Sequence, residues 1–497
     1  MLLGLDVGTS SLKAALYAPD GRLVARVAQG YATHTPQRGW AEQHPEDWWQ
    51  AACTCIRALL AQPGVRAQDI AGIGIAGQSW AAVLVDEDGH ALCPTPLWMD
   101  TRAQAQCGQA NRALGQQRIY QTGMNALHPS YTLPKLLWYR AHHPQLLKKT
   151  HRVLQSNGYL VSRLTGQYTQ DVSQGYGFAF FDMRTLRWDE ELRSAFGIPA
   201  HVLPDIVPCH QVAGHVTRQA AAATGLLAGT PVVAGGLDAA CGTLGAGVVD
   251  AGQTQEQGGQ AGGMSICLDK PMGDPRLIIS PHVVPGRWLL QGGTVGGGVL
   301  RWLQQVFALQ GTGTPPDFDQ MNDLAASIPA GSDGLVLLPY LAGERSPIWD
   351  AQAVGVFYGL DYRTTGAHMI RAAMEGAALA LRHNLHVAQQ AGAQVMALHA
   401  VGGAARSQTW VQIKADITGI PMHVMPDVDH TAQGAAMLAG LGTGVYRDAQ
   451  HAVQACVGEG HTVYPNTNNR AVYERAYRIY RALYENLRST MQASAAT

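Results

Sequence analysis

The chain has 497 residues with 35 Lys and Arg against 36 Asp and Glu, a formal net charge of -1, and 46% hydrophobic against 14% charged residues. That length suits two large domains with ample core. The composition excludes disorder, and the balanced charge excludes a global field for nucleic acid or an anionic membrane.

The first predicted strand covers residues 2–5, ends at Asp6 and runs into Val7-Gly8-Thr9-Ser10. A hairpin follows, residues 12–18 and 22–28, around Pro19-Asp20-Gly21, where Asp-Gly is a strong tight-turn signal. Residues 45–60 read as a helix, with Trp48, Trp49, Ala52 and Ile56 at helical spacing. Residues 72–77 match GxGxxG but read as a strand running into Gln78-Ser79-Trp80, so the glycines fail as a dinucleotide site. A second hairpin is expected over residues 82–85 and 91–92.

A second start is expected at residues 231–234, a buried-type strand leading through Gly235-Gly236-Leu237 to Asp238 and a small-residue helix. Glycine clusters at 252–264 and 292–298 precede a helix over 299–308. Near the end, Tyr473, Tyr477, Tyr480 and Tyr484 form one stripe of a helix over 471–487 that should pack on the body. His383 and His386 are read as a solvated helix face rather than a zinc site. Alternating strands and helices give an α/β fold, with the boundary expected near residues 245–255. Each half opens with a strand, an acidic residue and a glycine-rich turn, the mark of a duplicated ligand-gripping unit.

Eight scattered cysteines without CxxC read as reduced thiols. No signal peptide or membrane-spanning run is visible, so a soluble cytoplasmic protein is expected.

Three patterns carry chemistry. Asp6 with Gly8, Thr9 and Ser10 offers backbone and hydroxyl donors to phosphate oxygens and a carboxylate for a hydrated Mg²⁺; the alternative is an ordinary polar turn. Asp238, where a strand meets a helix, is suited to take the proton of an attacking alcohol, and the positive helix end should keep it ionised; the alternative is an N-cap. Residues 401–407 form a strand, a glycine turn with Gly402 and Gly403, then Ala404, Arg406 and a helix from Ser407, which lets a flat ring lie against bare backbone.

With these patterns in order, the chain resembles the FGGY carbohydrate kinases of the actin-like ATPase superfamily, and most closely their xylulokinase branch. Residues 130–142 resemble the family's first signature, with Tyr139 and Ala141 atypical, and residues 355–375 fit the second. Residues 340–347 (Tyr-Leu-Ala-Gly-Glu-Arg-Ser-Pro) and 402–407 also match. The resemblance implies a two-domain actin-like (ribonuclease H-like) fold, domains 1–247 and 248–497, with the active-site cleft between them. It implies transfer of the γ-phosphoryl group of ATP, with Mg²⁺, to a sugar hydroxyl, D-xylulose first among acceptors. Asp238 would be the base, and Asp6 and Asp238 would hold the metal through water. Gly8, Thr9, Ser10, Gly259, Gln260, Gly297, Arg301, Gly403, Ala404 and Ser407 would surround ATP. Gln78, Ser79, Trp80, Asp100 and Arg102 fall where the family reads the sugar. Independently, Trp80 offers a flat face for stacking and Asp100 with Arg102 can bind vicinal hydroxyls; the alternatives are a core indole and a surface ion pair. Lys135 is read as a structural side chain snorkelling from a helix. Family analogy allows a homodimer.

Three positions depart from the family pattern. Gln78-Ser79-Trp80 stands where xylulokinases have Gln-Met-His, and Ala239 follows Asp238 where they have Asn. Residues 258–263 (Gly-Gly-Gln-Ala-Gly-Gly) replace the Gly-Thr-Ser-Gly loop, keeping backbone donors but losing the hydroxyl. These departures leave open another acceptor (ribulose, gluconate, erythritol) or a kinase-fold sensor with little turnover.

Overall fold

Leu2, Leu3 and Leu5 can all be apolar because their strand is covered on both faces. In the computed structural model, which describes residues 1–308 and 315–494, this strand (β1, Leu2–Val7) is central to the first sheet. The sheet continues with β2 (Ser11–Tyr17), β3 (Leu23–Gly30), β4 (Gly72–Gly77), β5 (Val212–His215), β6 (Pro231–Val233) and β7 (Gly236–Leu237). The order is β5-β6-β4-β1-β2-β3, with β7 also on β4. β1 to β3 are antiparallel neighbours, whereas β4 and β6 run parallel to β1 on its other side.

The second sheet repeats this plan. Its strands are β8 (Gln253–Gly258), β9 (Ala261–Leu268), β10 (Ile278–Pro281), β11 (Trp288–Val295), β12 (Ala397–Val401), β13 (Met422–Val424) and β14 (His461–Val463). The order is β10-β11-β9-β8-β12-β13-β14, with β8, β9 and β11 antiparallel and β12 and β13 parallel to β8. The duplication is therefore real, but its second copy opens at β8. Pro231–Val233 is an interior strand of the first sheet; a short buried apolar run reads the same in either place. The expected hairpin at 82–92 shrinks to one bridge, Val85 with Ala91, because Val83–Val85 pairs instead with Arg152–Leu154.

The helix His430–Gly442, far along the chain, lies against β1 and β4 of the first sheet. Backbone meets backbone there. A Cβ on Gly4 would stand 1.9 Å from Ala432 O, one on Gly74 1.8 Å from Ala435 O, and one on Gly434 1.9 Å from Cys241 O. Only glycine permits this approach. A continuous core joins both sheets through this helix, the first sheet has a further core on its other face, and a third core lies among the helices at 298–308, 366–390, 408–418 and 470–494.

The terminal helix Arg470–Ser494 buries Tyr473, Tyr477, Tyr480 and Tyr484 against the second unit, where Tyr340 donates to Tyr480 Oη at 2.8 Å. It also covers the face carrying His383, which is 7% exposed against Tyr480, and His386, bonded to the Tyr477 hydroxyl at 3.1 Å. That face is therefore packed, not solvated. All eight cysteines are unpaired, and no helix of the described residues is long and apolar enough to cross a membrane.

Candidate active site

Parallel strands β1, β4 and β7 end side by side. Asp6 pairs in register with Ala76, and Ala76 with Gly236, so Asp6 and the residue after β7, Asp238, flank the same strand end. Cleft ligands in open α/β sheets sit at this edge. Asp6 is buried, and Asp238 opens the helix Asp238–Gly245 and is partly open to the cleft. Lys13, opposite Asp6 in the hairpin register, places Nζ 3.2 Å from Asp6 Oδ2 and 3.3 Å from Asp429 Oδ2.

Burial pushes the Asp6 carboxyl up to about 6; Lys13 opposes the rise and Asp429 adds to it. Burial, then the Asp6 charge, pushes Asp238 up to about 7, and the Ala239 N–H, 2.7 Å from Asp238 Oδ1, only partly offsets this. The helix end therefore does not hold Asp238 fully ionised, because desolvation and a like charge outweigh one amide. Asp238 is the first residue of its helix rather than its cap, Leu237.

In the turn after β1, Gly8 N–H donates to Ser11 O at 3.1 Å, and Gln43 Nε2 donates to Thr9 O at 2.6 Å. Trp98 Nε1 donates to Thr9 Oγ1 at 3.0 Å, so that hydroxyl is held in place, while Ser10 is exposed. Gln78 is buried and donates to Gln43 Oε1 at 3.1 Å, leaving its own Oε1 without a partner.

Ser79 and Trp80 lie partly open beside this edge. Trp80 adopts φ 59°, a backbone state costly for a bulky residue and concentrated at functional sites. Its ring packs with Tyr131 and Tyr176 at centroid distances of 4.7 and 5.8 Å. Its backbone N–H donates to Gln174 Oε1 at 3.3 Å, and Gln174 Nε2 donates to Asn157 Oδ1 at 2.8 Å. Asn157 donates to Asp171 Oδ2 at 3.0 Å, while Ser173 donates to Asp171 Oδ1 at 2.5 Å and accepts from Leu237 N–H at 2.8 Å. One buried polar chain thus ties the Trp80 backbone to the residue before Asp238.

Lys135 does not snorkel. It is 0% exposed, its Nζ donates to Trp80 O at 2.8 Å, and burial lowers it to about 7, with Asp100 opposing. Asp100 and Arg102 are not a surface pair either. Asp100 is 0% exposed, accepts from Ala41 N–H at 2.7 Å, and meets Arg102 Nη2 at 2.8 Å. Arg102 also reaches Glu42 at 2.7 Å and stacks 3.7 Å over Trp40. Both Asp100 oxygens are engaged by Ala41 and Arg102, and the pair clamps residues 40–42 to 100–102.

On the second sheet, a cavity of about 590 Å³ is lined by Gly259, Gln260, Gly297, Arg301, Gly403, Ala404 and Ser407 from three separate segments. The turn between β8 and β9 is fixed to the glycine segment by Gly297 N–H to Gly259 O (2.7 Å) and Gly298 N–H to Gln260 O (3.0 Å). Beneath it, Glu256 and Lys414 form a buried ion pair at 2.6 Å. Phe318 and Asn322 of the helix Phe318–Ala326 line the same cavity, and sequence reasoning did not find them. It also missed Lys13, Asp429, Tyr131 and Tyr176. Among these only Lys13 left a signal, its alternation opposite Asp6 across the hairpin.

The family models for the N-terminal and C-terminal domains of the FGGY family of carbohydrate kinases match residues 1–245 and 270–443. A xylulose kinase of Bacillus subtilis (strain 168) is 32% identical over 486 residues, covering 97% of this chain and 96% of that protein. The crystal structure of xylulose kinase from Rhodospirillum rubrum superposes with a TM-score of 0.90 at 31% identity, covering 99% of each chain. That of gluconate kinase from Lactobacillus acidophilus reaches 0.89 at 27% identity, covering 98% of this chain and 97% of its own. The chain belongs to the FGGY family of carbohydrate kinases, with the two-domain fold of that family.

Proposed function

We propose that the protein transfers the γ-phosphoryl group of ATP to a primary hydroxyl of a ketopentose, D-xylulose first, with Asp238 as general base. The observation that carries this reading is Asp238 itself: a carboxylate brought to about 7, opening a helix at the edge where β1, β4 and β7 end. A base with that affinity is half ionised near neutral pH and can accept the hydroxyl proton as the alcohol oxygen attacks phosphorus. The phosphorus–oxygen bond to ADP breaks in line, and the proton remains on Asp238 until release.

Asp6 and Asp238 supply hard carboxylate oxygens side by side, a donor set that fits a hydrated Mg²⁺, which when bound would neutralise charge on the phosphoryl oxygens. Thr9 and Ser10 face the phosphates with the backbone amides of Gly258, Gly259 and Gln260, and the 590 Å³ cavity takes the nucleotide. The sugar lies on the N-terminal side against Trp80, so the resemblance and the departure at that position together set the acceptor. We place the domain division at residues 247 and 248, sugar mainly before it and ATP mainly after.

Coupled ADP release with MgATP across xylulose, ribulose, gluconate, glycerol and erythritol tests the reading. Turnover fastest on xylulose supports it. Faster turnover on another member reassigns the acceptor. Binding of sugar or ATP without turnover on any member overturns the kinase in favour of a sensor.

A further inference from the structure

Ser407 caps the helix Gln408–Thr418, its Oγ accepting Trp410 N–H at 3.1 Å. The same Oγ lies 2.7 Å from Asn322 Oδ1. Ser407 is 7% exposed, so its hydroxyl proton needs an acceptor, and Asn322 Oδ1 is the one in reach. The contact fixes the amide. Oδ1 turns to Ser407, and Nδ2, which has no acceptor among the described residues, is left for the cavity that Asn322 lines. Ser407 has then spent its only proton and one lone pair within the protein. The donor this corner presents to a ligand is Asn322 Nδ2.

Arg301 and Arg406 also line the cavity, and beside Asn322 the walls suit a base. Phe318, four residues before Asn322 and so on the same helix face, is 43% exposed and presents a flat ring. Leu300 adds an apolar wall. The glycine turns, which suit phosphate, come from residues 258–259, 297 and 403 on other segments of the lining.

Resting on the nucleotide reading above, we propose that Asn322 selects a purine nucleotide by donating its Nδ2–H to a ring nitrogen of the base, and that Ser407 acts on the base only by orienting that amide. A donor at this point pairs with acceptor nitrogens N1, N3 or N7, and one neutral hydrogen bond changes affinity by about three- to tenfold.

The test is calorimetric binding of ADP and its 1-, 3- and 7-deaza analogues to the full chain, for the unaltered protein, Asn322→Ala and Asn322→Asp. Asn322→Asp keeps an acceptor for Ser407 and removes the donor, so it guards against a variant that merely misfolds. The expected result is one deaza analogue binding the unaltered protein about three- to tenfold more weakly than ADP, and both variants binding that analogue and ADP alike. Three results overturn the proposal: ADP affinity within twofold of normal in both variants, no discrimination among the analogues by the unaltered protein, or equal weakening of ADP and all three analogues. An unaltered protein that binds no ADP overturns the nucleotide reading itself, which is a separate result.

Discussion

The Nζ of Lys135 lies 2.8 Å from the carbonyl oxygen of Trp80, inside the first domain and away from solvent. A hydrogen bond from this buried amine holds the peptide that follows the left-handed backbone of Trp80. Lys135→Met should therefore let Trp80 relax. The expected outcome is an acceptor KM raised about tenfold with ADP affinity unchanged, and partial recovery in Lys135→Gln, which restores a donor. Steady-state kinetics with separate titrations of acceptor and ADP check it.

Asp238→Asn should lower kcat by about 10²–10⁴-fold while ADP still binds. The same change should stabilise the fold at pH 8. The native carboxyl sits near 7, above its ordinary value, so ionisation is disfavoured by folding. That penalty is absent below about pH 4, grows as pH rises to 7 and is complete above it. Because Asp238 is partly open to the cleft, the gain should be about 1–2 kcal/mol. Urea unfolding at pH 5 and pH 8 should show the difference between the two proteins at pH 8 mainly.

The pH profile of kcat/KM for the acceptor should fall on the acid side with a midpoint near 7, as Asp238 takes up a proton in the free enzyme. Asp6 contributes to that value through its charge, so Asp6→Asn, although slow, should move the midpoint to lower pH. A midpoint unmoved by Asp6→Asn would show that burial alone sets it.

Trp80 packs against Tyr131 and Tyr176, and in the function proposed above these rings face the acceptor. Trp80→His should change the order of preference across the acceptor panel, with little effect on ADP binding. An unchanged order would make the indole a core residue.

Gly434→Ala puts a methyl 1.9 Å from Cys241 O, a contact that backbone movement alone can relieve. The expected loss is about 1–3 kcal/mol of stability, measured by urea unfolding.

Glycine turns and strand-end carboxylates were legible because their chemistry lies in the backbone and in the order of residues. Thus Asp6, Asp238 and the segments around Gly259, Gly297 and Gly403 could be placed before the fold was known. What the side chains of Asp100 and Arg102 face was not legible, since a buried clamp and a surface pair share one spelling. Lys135 misled for a related reason: a lysine among Leu133, Leu136 and Leu137 reads the same whether its tip escapes or is enclosed. His383 and His386 read as solvated because the helix that covers them, Arg470–Ser494, comes nearly a hundred residues later. Asn322 gave no sign, because one amide on an amphipathic helix gains meaning only from the serine facing it.

The helix His430–Gly442 gives synthesis of the chain an order of events. The strand residues of the first sheet are all made by Leu237, yet the glycine face of β1 and β4 is covered only after Gly442 has emerged. About 200 residues separate the two, which at about 5–20 residues per second leaves roughly 10–40 s in which a nearly complete sheet waits on the ribosome with one side bare. Release of the N-terminal half alone would leave that side open.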